Sequence, residues 1–186
     1  MKKFILASGS PRRKDILERE GYSFTVITSD KEGVNDGFTS PEKLAVLHAA
    51  QKAQDVFDRF GEGAVVLGAD TVVASGGKTL GKAKSSEEAR EMLRSLSGKS
   101  HEVYTGYALI SADMRETGSV KTTVTFNELS EKTVDDYIKS GLWQGKAGAY
   151  GIQDGFDLVK SYEGDYDNVV GLPIKQIEES IKEFLK

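Results

Sequence analysis

The sequence predicts an α/β fold built on a mixed sheet with flanking helices. Three observations carry this. Strand-length apolar runs alternate with helical periods along the chain. The run at 64–69 is continuously apolar, as expected of a strand covered on both faces. Several later strands are joined by short Gly-containing or polar turns of the kind that make hairpins.

The elements follow in order. Residues 3–8 form a short apolar strand, broken by Gly9 and Ser10, with Ser10 as helix cap and Pro11 as first helical residue. That helix carries Ile16 and Leu17 and stops at Gly21. Residues 22–27 alternate as a strand. Ser40 and Pro41 repeat the cap-plus-proline start of a long helix to about Phe60, with Leu44, Leu47 and Ala50 on one face. The apolar strand 64–69 comes next, then a strand, tight turn and return over 72–80 around Gly76-Gly77. Ser85 to Glu88 is a capping box opening a helix that ends at Gly98. Strand-like segments at 102–111 and 118–126 precede a helix capped by Ser130 and ended by Gly141. A Gly-rich stretch at 145–155 leads to a strand at 157–162, and Pro173 opens a last helix with Ile174, Ile177, Ile181 and Leu185 at helical spacing. With no internal repeat or linker, residues 1–186 are expected to form one domain.

Composition excludes several classes. No stretch reaches the roughly 18 apolar residues of a membrane span. Lys2-Lys3 is followed by only four apolar residues, too few for a signal-peptide core, so a cytoplasmic location is expected. There are no cysteines, which removes disulfides and Cys-ligated zinc. The two histidines, His48 and His101, lie far apart without ligand spacing. A net charge of −4 argues against a partner dominated by nucleic-acid backbone and points to a small anion met by local positive charge.

Four segments could meet such an anion. Ser8-Gly9-Ser10-Pro11-Arg12-Arg13 joins a strand to a helix start, where free N–H groups, two hydroxyls and two guanidinium groups converge. It lacks the P-loop pattern, and it reads equally as a capped helix with solvated arginines. Asp70, after the apolar strand, is placed at the strand's carboxyl end, where open α/β sheets bind ligands. There it could hold a divalent cation or take a proton from water, although Asp is also common in turns. Lys52 and the loop lysine Lys82 are further cations, each readable as a solvated surface charge. The stretch 146–155 has small residues that would admit a flat ligand, and Gln153 could read a base edge.

Taken together, Leu6-Ala7-Ser8-Gly9-Ser10-Pro11-Arg12-Arg13, Gln51-Lys52-Ala53, Leu67-Gly68-Ala69-Asp70-Thr71, Leu80-Gly81-Lys82, Lys146-Ala147-Gly148-Ala149-Tyr150-Gly151-Ile152-Gln153 and Asn168-Val169-Val170-Gly171-Leu172-Pro173 resemble the Maf family of nucleoside triphosphate pyrophosphatases, in family order. The resemblance implies an inosine-triphosphatase-like fold of two lobes around a central cleft. It also implies hydrolysis of a nucleoside triphosphate to the monophosphate and pyrophosphate, which would keep such nucleotides out of nucleic acid and bears on septum formation. By that resemblance Arg13, Lys52, Asp70 and Lys82 are catalytic, with Asp70 the usual proton acceptor. Ser8, Ser10, Arg12 and Arg13 hold substrate, and Arg12, Thr71 and Gln153 set specificity. A divalent cation (Mg²⁺, Mn²⁺ or Co²⁺) is held by Asp70 and Glu32, and two copies form a homodimer. Thr71 with Gln153 is similar to the branch acting on dTTP and UTP, the alternative being the 7-methyl-GTP branch. Two positions depart from the pattern. Gly33 stands where a second, functional glutamate is expected, so that either Glu32 or Asp30 substitutes for it or metal binding is altered, and Ala83 stands for a proline and is expected to loosen the Lys82 loop. Two rival readings are a non-catalytic regulator that binds nucleic acid through Ser-Pro-Arg-Arg, and a weakened relative that binds a protein partner.

Overall fold

Side-chain alternation in two neighbouring strands decides the layering. The computed structural model describes residues 2–31, 33, 37 and 39–186. Strand β1 (Lys3–Leu6) lies parallel to β3 (Ala64–Ser75), with Ile5 opposite Val66 and Leu6 opposite Leu67. With a period of two, Phe4, Leu6, Val65 and Leu67 face one side and Ile5, Val66 and Ala108 the other. Helices α1 (Pro11–Arg19) and α6 (Ile174–Phe184) cover the first face through Ile16, Leu17, Ile174, Ile177 and Ile181. Helix α2 (Pro41–Phe60) covers the second through Ala49, Ala53 and Val56.

Among the described residues the sheet has seven strands and is mixed, as expected. Besides β1 and β3 it contains β2 (Thr25–Val26), β4 (Lys78–Leu80), β5 (Ser100–Ile110), β6 (Arg115–Phe126) and β7 (Val159–Glu163). The order is β2-β1-β3-β5-β6-β7, with β4 folding back on β3. Pairings of β1 are parallel and all others antiparallel. The far ends of β3, β5 and β6 carry a second core, where Val73, Val103, Val124 and Phe126 meet α3 (Ser86–Leu96), α4 (Glu131–Ser140) and the 143–158 segment. Two cores thus share the same long strands. Among the described residues no helix is long and apolar enough to cross a membrane.

Several expectations change. The segments 64–69 and 72–74 are one strand, because β5 pairs continuously from Val66 to Ala74; Asp70 is therefore mid-strand and not at a strand end. Only Thr25–Val26 of the 22–27 segment is strand, since Tyr22 and Phe24 turn in edge-to-face against Phe4. Ser10 occupies the N-cap of α1, but its hydroxyl makes no capping bond. In the Ser85 box, Ser85 accepts from the Glu88 N–H, while the Glu88 carboxylate turns to the N–H of Lys84. Leu47 is exposed. Leu44 is buried and Ala50 packs on the core as expected, and the helix meets the sheet most closely through Ala45, Ala49 and Ala53, because a Cβ at Gly106 or Gly68 would fall 2.3 Å from Ala45 or Ala49 backbone. A short helix α5 (Tyr166–Val170) was not anticipated.

Candidate active site

The close seat of α2 creates the site. Its alanine stripe over Gly68 and Gly106 lets the helix backbone touch the sheet, and the next residues around the helix, His48 and Lys52, then come down on Asp70. These two lie four apart, so they share a face. Lys52 Nζ bonds Asp70 Oδ1, and His48 Nδ1 lies 3.2 Å from Oδ2. Both carboxylate oxygens are held from one helix.

Arg13 arrives from the opposite direction. Beyond Leu6, β1 no longer pairs with β3, and β4 joins β3 only from Val73 onward. The edge of β3 at 68–72 is left to the Ser8–Arg13 turn, so Arg13 reaches Thr71, the neighbour of Asp70. The buried Arg13 guanidinium donates from Nε to the Gly171 carbonyl (2.7 Å), from Nη1 to Ser8 Oγ (2.9 Å) and from Nη2 to Thr71 Oγ1 (3.1 Å). A polar relay behind it continues from Thr71 to Thr105, and from Thr105 to the carbonyl of buried Asn168. Arg13 lies close enough to Asp70 for each to feel the other's charge. Helix α1 adds the positive end of its dipole, with no acidic residue in its first turn.

The electrostatics follow from this crowding. Burial alone would raise the Asp70 carboxyl, but the His48 hydrogen bond and the charges of Lys52 and Arg13 outweigh it and hold the group at about 2. Lys52 feels the opposite balance. Burial depresses its pKa, and Asp70 opposes this, while Arg13 and Lys82 push it lower still. Among the described residues one anion therefore stands among three cations, an excess of positive charge suited to a polyanion. A carboxyl at about 2 is a weak base near neutrality and a good charge partner or cation ligand.

The other expected residues are placed as follows. Ser8 is buried on Arg13, and its hydroxyl also accepts from the Ser10 N–H at 3.3 Å. Lys82 is exposed, close enough to Lys52 for its charge to be felt. Its loop is not loose despite Ala83: Lys82 pairs with Ala147, Gly148 donates to the Gly81 carbonyl at 3.0 Å, and Ala83 packs on the second core. Arg12 is half-buried; burial depresses its pKa and the charge of Asp154 opposes that. Gln153 is exposed and donates to Asp154 at 3.3 Å. Arg12 and Gln153 thus share one neighbour, whereas Thr71 is turned toward Arg13. Glu32 lies outside the described residues, which among themselves contain no group of three His, Asp or Glu side chains poised around a metal.

Three participants escape a reading from sequence. His48 carries a legible signal, its spacing of four from Lys52. Asp154, which collects Lys146 and Tyr137, and the Gly171 carbonyl come to the site only through the fold.

Residues 3–184 match the family described as Maf, Maf-like protein. The chain belongs to the Maf family. This Maf-family chain is 48% identical over 185 residues to a dTTP/UTP pyrophosphatase of Bacillus cytotoxicus, covering 99% of this chain and 96% of the relative. It is 46% identical to a dTTP/UTP pyrophosphatase of Bacillus cereus, covering 99% and 91% respectively. Among solved structures, the Staphylococcus aureus Ham1 protein aligns at 18% identity with a TM-score of 0.47, covering 68% of this chain and 71% of that one.

Proposed function

We propose that this Maf-family chain, residues 1–186 acting as one domain, hydrolyses dTTP and UTP to the monophosphate and pyrophosphate. The observation that carries this reading is the carboxylate Asp70, held by Lys52 and within reach of the charges of Arg13 and Lys82 around it. The identity of 46–48% to dTTP/UTP pyrophosphatases supports the pyrimidine branch over the 7-methyl-GTP branch. In this reading the triphosphate lies along the Ser8–Arg13 turn, with Ser10 and Arg12 beside it and Lys82 closing over it. The phosphates draw Lys52 and Arg13 toward themselves, which relieves Asp70 of part of its cationic surroundings and lets its carboxylate orient the attacking water. Water oxygen bonds to the α-phosphorus, the bond from that phosphorus to the bridging oxygen breaks, and pyrophosphate leaves while the water proton passes to Asp70 or solvent. Charge stabilisation and positioning supply most of the rate.

The donor set fits a hard divalent cation that the nucleotide completes. Mg²⁺ is commonly bound by one or two carboxylates plus substrate phosphates, and Asp70 is one such carboxylate, with Glu32 the proposed second. Bound there, the cation would neutralise the leaving pyrophosphate. Gln153 and Arg12, grouped about Asp154, are proposed to read the base, since the uracil and thymine edge offers acceptor, donor, acceptor to a side-chain amide. A homodimer working on free cytoplasmic nucleotides belongs to the same reading.

The test is a panel of dTTP, UTP, dCTP, dATP, dGTP and 7-methyl-GTP with Mg²⁺, Mn²⁺ or Co²⁺, scored for products. Monophosphate and pyrophosphate from dTTP and UTP are expected, with activity lost to a chelator. Release of inorganic phosphate and a diphosphate, or preference for 7-methyl-GTP, overturns it.

A further inference from the structure

The imidazole of His48 and the backbone of Gly33 are in contact so close that neither position is independent of the other. A Cβ built on Gly33 would stand 2.1 Å from Cδ2, 2.2 Å from Cγ and 2.3 Å from Nε2 of His48. Any side chain at 33 therefore overlaps the ring. The glycine is not called for by its backbone, whose φ lies outside the left-handed region, so space for the ring is the reason that remains. The ring is buried, and α2 beneath it is locked in register by the contacts at Gly68 and Gly106. Its Nδ1 meets Asp70 Oδ2, while Lys52 holds Oδ1. With Lys52 paired to its other oxygen as an ion pair, the Asp70 carboxylate accepts and His48 Nδ1–H is the donor.

We infer that His48 is a positioning residue, which fixes the plane of the Asp70 carboxylate by holding its second oxygen, and that Gly33 serves the same reaction by seating the ring. With Lys52 alone, the carboxylate can rotate once the triphosphate draws that lysine away; with His48 it stays aimed. The inference rests on the pyrophosphatase reading for its catalytic consequence and on geometry for the rest.

Four variants and one spectrum test it. His48→Leu keeps bulk and removes the donor; kcat for dTTP should fall about 10–100-fold, the usual cost of losing an orienting partner in a site of this kind, with KM nearly unchanged. His48→Asn returns an N–H near the Nδ1 position and should recover most of that loss. Gly33→Ala should lower kcat like His48→Leu, yet add nothing when combined with His48→Ala, a non-additive cycle. Wild-type kcat in His48→Leu, no rescue by Asn, or full additivity of the Gly33→Ala and His48→Ala losses overturns the inference. The two-histidine chain also permits a long-range proton–nitrogen spectrum of the wild type, assigned with His48→Asn. It should show the proton on Nδ1 of His48, and Gly33→Ala should disturb that signal; a proton on Nε2 alone overturns the inference. If the wild type releases no pyrophosphate from any nucleotide, the proposed function falls, while the spectrum still decides whether Gly33 seats His48 on Asp70.

Discussion

The pairs Lys52–Asp70 and Lys146–Asp154 are the same two side chains in different company. Lys146–Asp154 is the more enclosed, with 8% and 5% side-chain exposure against 19% and 15%. Its lysine sits on both carboxylate oxygens, and the Tyr137 hydroxyl donates to Oδ2 at 2.5 Å. That Tyr137 oxygen also accepts from the Gly151 N–H at 3.1 Å, which stitches the Gly-rich loop to α4. Around Lys52–Asp70 the described residues add the charges of Arg13 and Lys82, both felt at Lys52. A buried Lys–Asp pair is thus structural or functional according to its third and fourth neighbours, which residue type alone does not disclose.

Substitutions should separate the two. Asp70→Asn is expected to lower kcat for dTTP by about 10²–10⁴-fold or more with the fold retained, read by pyrophosphate release and a cooperative thermal melt; near-normal turnover would remove Asp70 from the reaction. Lys146→Met strands the buried Asp154 carboxylate and should cost about 3–5 kcal/mol of stability in chemical denaturation. Lys52→Met should do the reverse, abolishing turnover while leaving stability nearly intact. Equal stability losses at both lysines would erase the distinction.

Asp70 and the second core should also part in their response to acid. His101, in the second core between Phe126 and Tyr150, is depressed by burial to about 4. The unfolded chain takes up the proton near 6.5 and the folded chain does not until about 4. Stability is therefore full above that upper value and declines by about 3 kcal/mol as pH falls through the window. Asp70, lowered to about 2, contributes stability that is present above about 4 and lost only as pH falls toward 2. His101→Phe should flatten the upper step. It should also lower stability at neutral pH, because the Tyr150 hydroxyl loses its 2.7 Å partner. A slope between pH 6.5 and 4 that survives the substitution assigns the step elsewhere. The smallest expected effect is at the proposed base reader: Gln153→Ala should raise KM for dTTP about fivefold, the worth of one hydrogen bond, with kcat nearly kept. An unchanged KM would move base reading to other groups.

Much of this was legible in the residues. The cap-plus-proline starts at Ser10-Pro11 and Ser40-Pro41 mark where α1 and α2 begin, because proline's fixed φ and missing N–H suit a first helical turn. The continuous apolar run places β3 in the middle of the sheet. The cluster Ser8 to Arg13 announces a cationic turn. Other features were hidden because they depend on partners distant in the chain. The position of Asp70 along its strand follows from how far β5 pairs with β3, and the inward face of α2 follows from glycines on two other strands. Leucine periodicity in α2 pointed to Leu47, which lies exposed.

By itself, then, the sequence determined the element types, the sheet class and the positive turn that could meet a phosphate, since these depend on local periodicity, caps and charge. Only the tertiary structure decided that the charges of Arg13 and Lys52 bear on Asp70, that His48 completes the grip on Asp70, and that Gly33 leaves room for it. Those outcomes depend on how closely one helix can approach a sheet, and that distance is set by atoms missing from glycines far away in the chain.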